Sequence, residues 1–276
     1  MQYWTEYKGH EIKLEGQRHK YDSTIYTFDI ETTSYIVLNG KQLSTMDYLN
    51  LSNKEQELCE KKSTMYIWQL GINENVYYGR TWKELDSFLK KIEMAGTKRK
   101  KYIFVHNLSW EFQFLCNQFV FKSVFARKSR KVIKAILEKY NYEFRCTYMM
   151  SNCSLEKLGD IYKLDIKKQV GTLDYNKFRH SLTKLTAKEL KYCEYDCLVV
   201  YKYILKELET YKLLRALPMT STGHVRGELK DKIKKDYKYL NKTRKAINEA
   251  PKIYNMLISA FAGRLYSCKL DKSTVR

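Results

Sequence analysis

Tyr26-Thr27-Phe28-Asp29-Ile30-Glu31-Thr32-Thr33 ends an aromatic, β-branched run on two carboxylates spaced by a single residue. Such a run reads as a strand, and side chains at i and i+2 of a strand share a face. Asp29 and Glu31 therefore project together. Like charges held that close repel, and one carboxyl resists ionisation unless a cation sits between them. Hard oxygen ligands without a neighbouring His or Cys suit Mg²⁺ or Mn²⁺ rather than Zn²⁺. Similar pairs also mark ordinary solvated strand ends, so the metal-binding reading depends on further carboxylates downstream.

The rest of the chain limits the partners. Among 276 residues, 51 are Lys or Arg and 31 are Asp or Glu, a net charge of +20, and 24 Tyr and 11 Phe supply ample core. An excess of this size calls for a polyanion, nucleic acid first; a merely solvating surface is the plain alternative. No apolar run reaches the ~18 residues needed to span a bilayer, and the start Met1-Gln2-Tyr3-Trp4-Thr5-Glu6 shows no apolar h-region of a signal peptide. The seven cysteines are odd in number and contain no C-x-x-C. Cys193 and Cys197 share one face of a predicted helix, where buried thiols are commoner than zinc ligands, so a reducing cytosol without a zinc site is expected.

Short β-rich runs predict strands over 24–31, 64–70, 75–79 and 101–106. Between the first two, 34–62 reads as a polar loop with a short helix. Helices are expected over 81–94, 107–118 and 186–211, the last capped by Thr186 and striped by Leu190, Cys193, Cys197, Val200, Ile204, Leu208 and Tyr211. Alternating elements of this kind indicate a mixed α/β sheet. The basic runs Lys98–Lys101 and Arg127–Lys131 fall in predicted connections, either as solvated loops or along a phosphate backbone. Both prolines, Pro218 and Pro251, lie in the last quarter. One α/β unit over 1–212 and a differently built, mainly helical extension over 213–276 are expected.

Two further segments bring carboxylates. Phe104-Val105-His106-Asn107-Leu108-Ser109-Trp110-Glu111-Phe112-Gln113-Phe114 reads as a strand end turning into a helix. Glu111 then lies on the first helical turn, where the dipole favours an ionised carboxylate. His106 and Asn107 offer hydrogen bonds at the strand mouth, and Trp110 and Phe114 offer flat faces for unstacked bases. On the long helix, Tyr192 and Asp196 are i and i+4 and share a face beside the apolar stripe. Together these segments supply the ligands for two divalent cations about 3.5–4 Å apart, the arrangement that activates water and stabilises the leaving oxygen in phosphodiester hydrolysis.

The set resembles the 3′–5′ exonuclease domain of family B DNA polymerases, in particular the protein-primed polymerases of phages. Asp29-Ile30-Glu31 is similar to the family's first motif, Asn107-Leu108-Ser109-Trp110-Glu111 to the second, and Tyr192-x-x-x-Asp196 to the third. Ser154-Leu155-Glu156-Lys157-Leu158 resembles the segment whose Ser and Leu touch a single-stranded 3′ end, and Thr32 falls where the family places a DNA-contacting Thr. The resemblance implies a ribonuclease H-like sheet, metal ligation by Asp29, Glu31, Glu111 and Asp196, a water positioned by Tyr192, and two Mg²⁺ or Mn²⁺ ions. It also implies DNA contacts from Thr32, His106, Asn107, Trp110, Phe114, Ser154 and Leu155. The implied setting is proofreading in a polymerase that works with a terminal protein in the cytoplasm of a bacterial host.

Three departures stand out. Trp110 and Glu111 replace the family's Phe or Tyr and Asp. The family's catalytic lysine falls on Val170, with Lys167 and Lys168 both near. Ala260-Phe261-Ala262-Gly263-Arg264 resembles the element that couples exonuclease and polymerase domains, but with Phe for Tyr and Arg264 for a small residue. No polymerase carboxylate motif occurs in these residues, so the chain is expected to be the exonuclease portion alone. A non-catalytic DNA-binding module and an exoribonuclease of the same fold are the competing readings.

Overall fold

The structure, a computed structural model, describes residues 1–9, 22–95, 99–169, 173–174 and 177–242. In chain order the elements are strand β1 (Gln2–Tyr3), β2 (Tyr26–Leu38), β3 (Lys41–Leu43), helices α1 (Thr45–Leu49) and α2 (Asn53–Glu57), β4 (Glu60–Ile72) and β5 (Asn75–Gly79). Helix α3 (Trp82–Ala95), β6 (Lys101–Val105), α4 (Leu108–Leu115), and strands β7 (Phe121–Ala126), β8 (Val132–Leu137) and β9 (Tyr142–Cys146) come next. Helices α5 (Thr147–Ser151), α6 (Leu155–Ile161), α7 (Ala187–Tyr211) and α8 (Ser221–Lys242) complete the order. Among the described residues one mixed sheet runs β1-β5-β4-β2-β6-β9-β8-β7, with β3 paired to β2.

The central strand β2 is antiparallel to β4 and parallel to β6. Its parallel pairing ends at Phe28 opposite Val105, so Asp29 is the first residue beyond the ladder. A bulge then interrupts the pairing with β4 between Glu31 and Thr32. Strand parity sorts β2 onto two cores. Tyr26, Phe28 and Ile30 join Trp68, Leu70, Phe88, Leu89, Leu108 and Phe144 on the α3–α4 side. Ile25 packs with Phe104, Val199, Val200, Tyr203 and Ile204 on the α7 side. The face of Ile25 is also that of Asp29 and Glu31, and it is covered by the helix that carries Asp196. Close approach here demands glycine: a Cβ on Gly79 would run into the Trp68 indole, and one on Gly71 into Thr27 Oγ1.

Helix α7 begins on a capping box in which Thr186 accepts from Glu189 N and Glu189 accepts from Thr186 N at 2.7 Å. Arg179 donates to the same Glu189 at 2.6 and 3.0 Å. The helix start is thereby tied to the connector before it.

Several expectations need correction. The segment 34–62 is less irregular than its polarity implies: β2 continues to Leu38, β3, α1 and α2 come after it, and β4 starts at Glu60. Helix α4 stops at Leu115 rather than 118. Lys101 is not a solvated loop residue; it opens β6 fully buried, its Nζ 2.8 Å from Glu93. Strands β7, β8 and β9 and helices α5 and α6 are additional to the elements expected from the sequence. Internal contacts divide the chain into Met1–Thr220 and Ser221–Arg276. The first unit thus runs past 212, because Leu214 and Leu217 are buried in its core. The second unit contributes the helix α8, in keeping with the expected helical extension. Val170 and the 260–264 element lie outside the described residues.

Candidate active site

The carboxylates converge where β2 parts from β6. Oxygen atoms from Asp29, Glu31 and Asp196 all lie within 4.8 Å of one another. Asp29 and Glu31 come from consecutive same-face positions of β2, and Asp196 comes down from α7. Glu111 reaches in from the opposite side, past the end of β6, and its carboxyl shares a hydrogen bond with that of Asp29. The helix bearing Glu111 starts from Asn107, whose left-handed backbone (φ 65°, ψ 47°) turns the chain sharply out of β6. Asn tolerates that conformation better than most residues.

Around these groups opens a cavity of about 750 Å³. Its lining includes Asp29, Glu31, Thr32, His106, Asn107, Trp110, Glu111, Ser154, Leu155, Tyr192 and Asp196. Of the candidate metal ligands and DNA-contacting residues named from the sequence, only Phe114 is absent from the wall. It packs edge-on against Trp110, ring centres 5.7 Å apart, and behind it against the apolar core. Ser154 caps α6 by accepting from Lys157 N, which sets Leu155 at the cavity edge.

Burial dominates the electrostatics. Asp29 is pushed up to about 8, first by burial and then by the Asp196 charge, against the pull of Lys168. Glu31 rises well above the carboxylate range through burial, then Asp29 and Asp196. Glu111 does the same through burial and the Asp29 charge. The helix dipole expected to keep Glu111 ionised is therefore outweighed by its dry surroundings. Asp196 rises least, to about 6; burial raises it, while the Lys168 charge, a Lys168 hydrogen bond and the Tyr192 hydroxyl hold it down. Cavity His106 is pushed down to about 4 by burial and then by Lys168. Its Nδ1 lies 3.1 Å from Thr147 Oγ1.

The donor set fits divalent cations. The cluster consists of hard carboxylate oxygens, and Glu111 Oε2 and Asp196 Oδ1 are buried without a hydrogen-bond partner. Orphaned carboxyl oxygens in a dry site are expensive, and a bound cation relieves them. Asp29, Glu31, Glu111 and Asp196 are the residues that would hold it.

Sequence reasoning left one residue undecided and overlooked another. Lys168 donates to Asp196 at 3.2 Å and lines the cavity. Lys167, 64% exposed in its side chain, pairs instead with Asp160. Lys131 and Tyr148 also line the cavity; Lys131 ends the second basic run, and nothing in the local sequence marks Tyr148.

No protein-family model matches the chain, and no curated protein sequence does. Solved structures do match. The chain is similar to phi29 DNA polymerase bound to primer-template DNA after translocation, with a TM-score of 0.56 and 15% identity over 78% of this chain and 36% of that one. The orthorhombic crystal form of the same polymerase gives 0.54 at 15% identity, over 78% and 35%. Its ternary complex with primer-template DNA and incoming nucleotides gives 0.54 at 16%, over 78% and 36%. The chain spans about a third of the polymerase structures it matches. The fold is accordingly ribonuclease H-like, a mixed sheet flanked by helices, similar to about a third of that polymerase.

Proposed function

We propose that the chain is the 3′–5′ exonuclease portion of a DNA-directed DNA polymerase, hydrolysing the terminal phosphodiester of single-stranded DNA with two Mg²⁺ or Mn²⁺ ions. The observation that carries the reading is the meeting of Asp29, Glu31 and Asp196 oxygens within 4.8 Å at a cavity mouth, with Glu111 against Asp29. Bound divalent cations would supply charge stabilisation for the attacking and leaving oxygens of the displacement.

The remaining work falls to this chain's own groups. The Tyr192 hydroxyl, hydrogen-bonded to Asp196, orients a water beside the scissile phosphate. Lys168 sets its positive charge against Asp196 at the same wall and offers compensation to a phosphate entering there. Trp110, 45% exposed, gives the terminal base a stacking face. Ser154, Leu155, Thr32, His106 and Asn107 frame the sugar and backbone of the 3′ end. Phe114 supports Trp110 from behind rather than meeting the base itself.

In this reading Met1–Thr220 form the exonuclease domain and the remainder leads towards a polymerase palm, with a terminal protein as a further partner and the host cytoplasm as the site of action. The +20 charge supports a polyanionic substrate. Incubation of a 5′-labelled single-stranded oligonucleotide with magnesium tests the reading. A ladder shortening from the 3′ end is expected, abolished by chelation and by Asp196→Ala. Uncut oligonucleotide that still binds would leave a non-catalytic DNA-binding module, and a matched RNA cut equally well would point to an exoribonuclease.

A further inference from the structure

The β7–β8 hairpin is unlike the rest of the sheet. Residues 122–131 are all exposed, and β7 forms one edge. From Lys122 to Leu137 the chain carries Lys122, Arg127, Lys128, Arg130, Lys131 and Lys134 and no acidic residue. Four of these cations crowd the tip, which is closed by Arg127 N to Lys131 O and Lys131 N to Lys128 O, both 3.0 Å, with Arg130 in the left-handed region at φ 57°. Without internal anions the tip repels itself and favours an external polyanion.

Two observations aim this tip at the carboxylate cavity. Lys131 is part of the cavity wall. At the hairpin base, Val132 N donates to Ser109 Oγ at 2.8 Å, which fixes the hairpin to α4 two residues before Glu111. Register shifts at Phe121/Ser123 and Phe125/Ala126 break the pairing of β7 with β8, a pattern that bends a ribbon. Phe125, 53% exposed on the edge strand, adds an aromatic face beside the cations.

The geometry points to the β7–β8 hairpin as a phosphate track for a single DNA strand, gripping nucleotides on the 5′ side of the one held in the cavity. This rests on the exonuclease reading for the strand's direction, but the binding surface itself does not depend on cleavage. Lys131 takes the phosphate nearest the cavity, and Arg127, Lys128 and Arg130 take those further out. A basic groove with an aromatic platform is the arrangement single strands require, and it is indifferent to base sequence.

The test is the length dependence of binding by the full chain. Oligothymidylates of about 3 to about 16 nucleotides, blocked by 3′-terminal phosphorothioates, are titrated in magnesium at several salt concentrations. Affinity of the unsubstituted protein should climb with length. In the triple variant Arg127→Gln, Lys128→Gln, Arg130→Gln it should level off early, with about ten-fold weaker binding of the longest strand at low salt and a log–log salt slope reduced by about 2. The shortest strand should bind both proteins alike. Exchanging Arg and Lys at the same three positions should preserve the length dependence, which separates loss of charge from loss of hairpin structure. Identical curves for the Gln variant would overturn the proposal, as would an equal loss at every length. An unsubstituted protein that binds long strands but never cuts unblocked ones would sink the nuclease reading and leave the track standing.

Discussion

Lys168 holds its ammonium 3.2 Å from Asp196 Oδ2 and 5.3 Å from the centre of the Tyr192 ring, so a single cation serves both members of the α7 pair. Its charge offsets part of the burial that raises Asp196 to about 6. Lys168→Met should therefore slow hydrolysis by about 10²-fold, the scale of one lost electrostatic contact to a reacting centre. It should also move the acid limb of the pH–rate profile to higher pH, because Asp196 then holds its proton longer. Lys168→Arg should restore the limb. An unshifted limb in the Met variant would show that the pair is structural.

Removing a central carboxylate should separate chemistry from folding. In the absence of metal, Asp29 has a folded pKa of about 8 against an unfolded value near 4. The folded state binds the extra proton, so its contribution to stability is fully present below about pH 4 and is lost as pH rises through about 8. Asp29→Asn should abolish hydrolysis yet melt about 2–8 °C higher than the unsubstituted protein in chelator at pH 8, with little gain at pH 4. Magnesium should raise the melting temperature of the unsubstituted protein at pH 8 and barely affect the variant. A variant that melts lower at pH 8 would refute the repulsion among these carboxylates.

Trp110 lies half out of the cavity wall with Phe114 at its back. Base–aromatic stacking contributes ~1–3 kcal/mol per base. Trp110→Ala should weaken binding of single strands by about ten-fold or more while leaving the melting temperature nearly unchanged. An early melt with unaltered affinity would identify the indole as core.

The Arg179–Glu189 pair is buried on both sides. Leaving Glu189 uncompensated inside the protein should cost about 3–5 kcal/mol. Arg179→Met should lower the melting temperature by roughly 10 °C. Activity per folded molecule should also drop, since the start of α7 positions Tyr192 and Asp196. A drop in stability alone would confine Arg179 to the scaffold.

The candidate site was legible in the sequence because each carboxylate sits on a regular local period. Asp29 and Glu31 obey strand parity, Tyr192 and Asp196 obey the helical turn, and Glu111 lies on the first turn of the helix that follows β6. The site also depends on long-range placement, and there the sequence is silent. Lys167 and Lys168 are neighbours with the same chemistry, and only the fold brings one of them to Asp196. Strand β9 escaped notice because Glu143 and Arg145 interrupt its apolar run, yet they satisfy each other at 2.8 Å inside the protein. Lys101 read as part of a basic loop for the same reason: its partner Glu93 lies on the preceding helix, and no local period links the two.

The bulge after Glu31 divides β2 into two stretches that differ in how they tolerate insertions and deletions. Over Tyr26–Glu31 the strand is counted in twos, and gaining or losing one residue would rotate Asp29 and Glu31 onto the apolar face occupied by Phe28 and Ile30. Beyond the bulge the count begins afresh. A change of length within Thr32–Leu38, the β3 return or the two short helices after it can be absorbed without turning either carboxylate. In homologous chains, length variation should accumulate on the outer side of that irregular pair, while the six residues before it stay constant in number even where their identities drift.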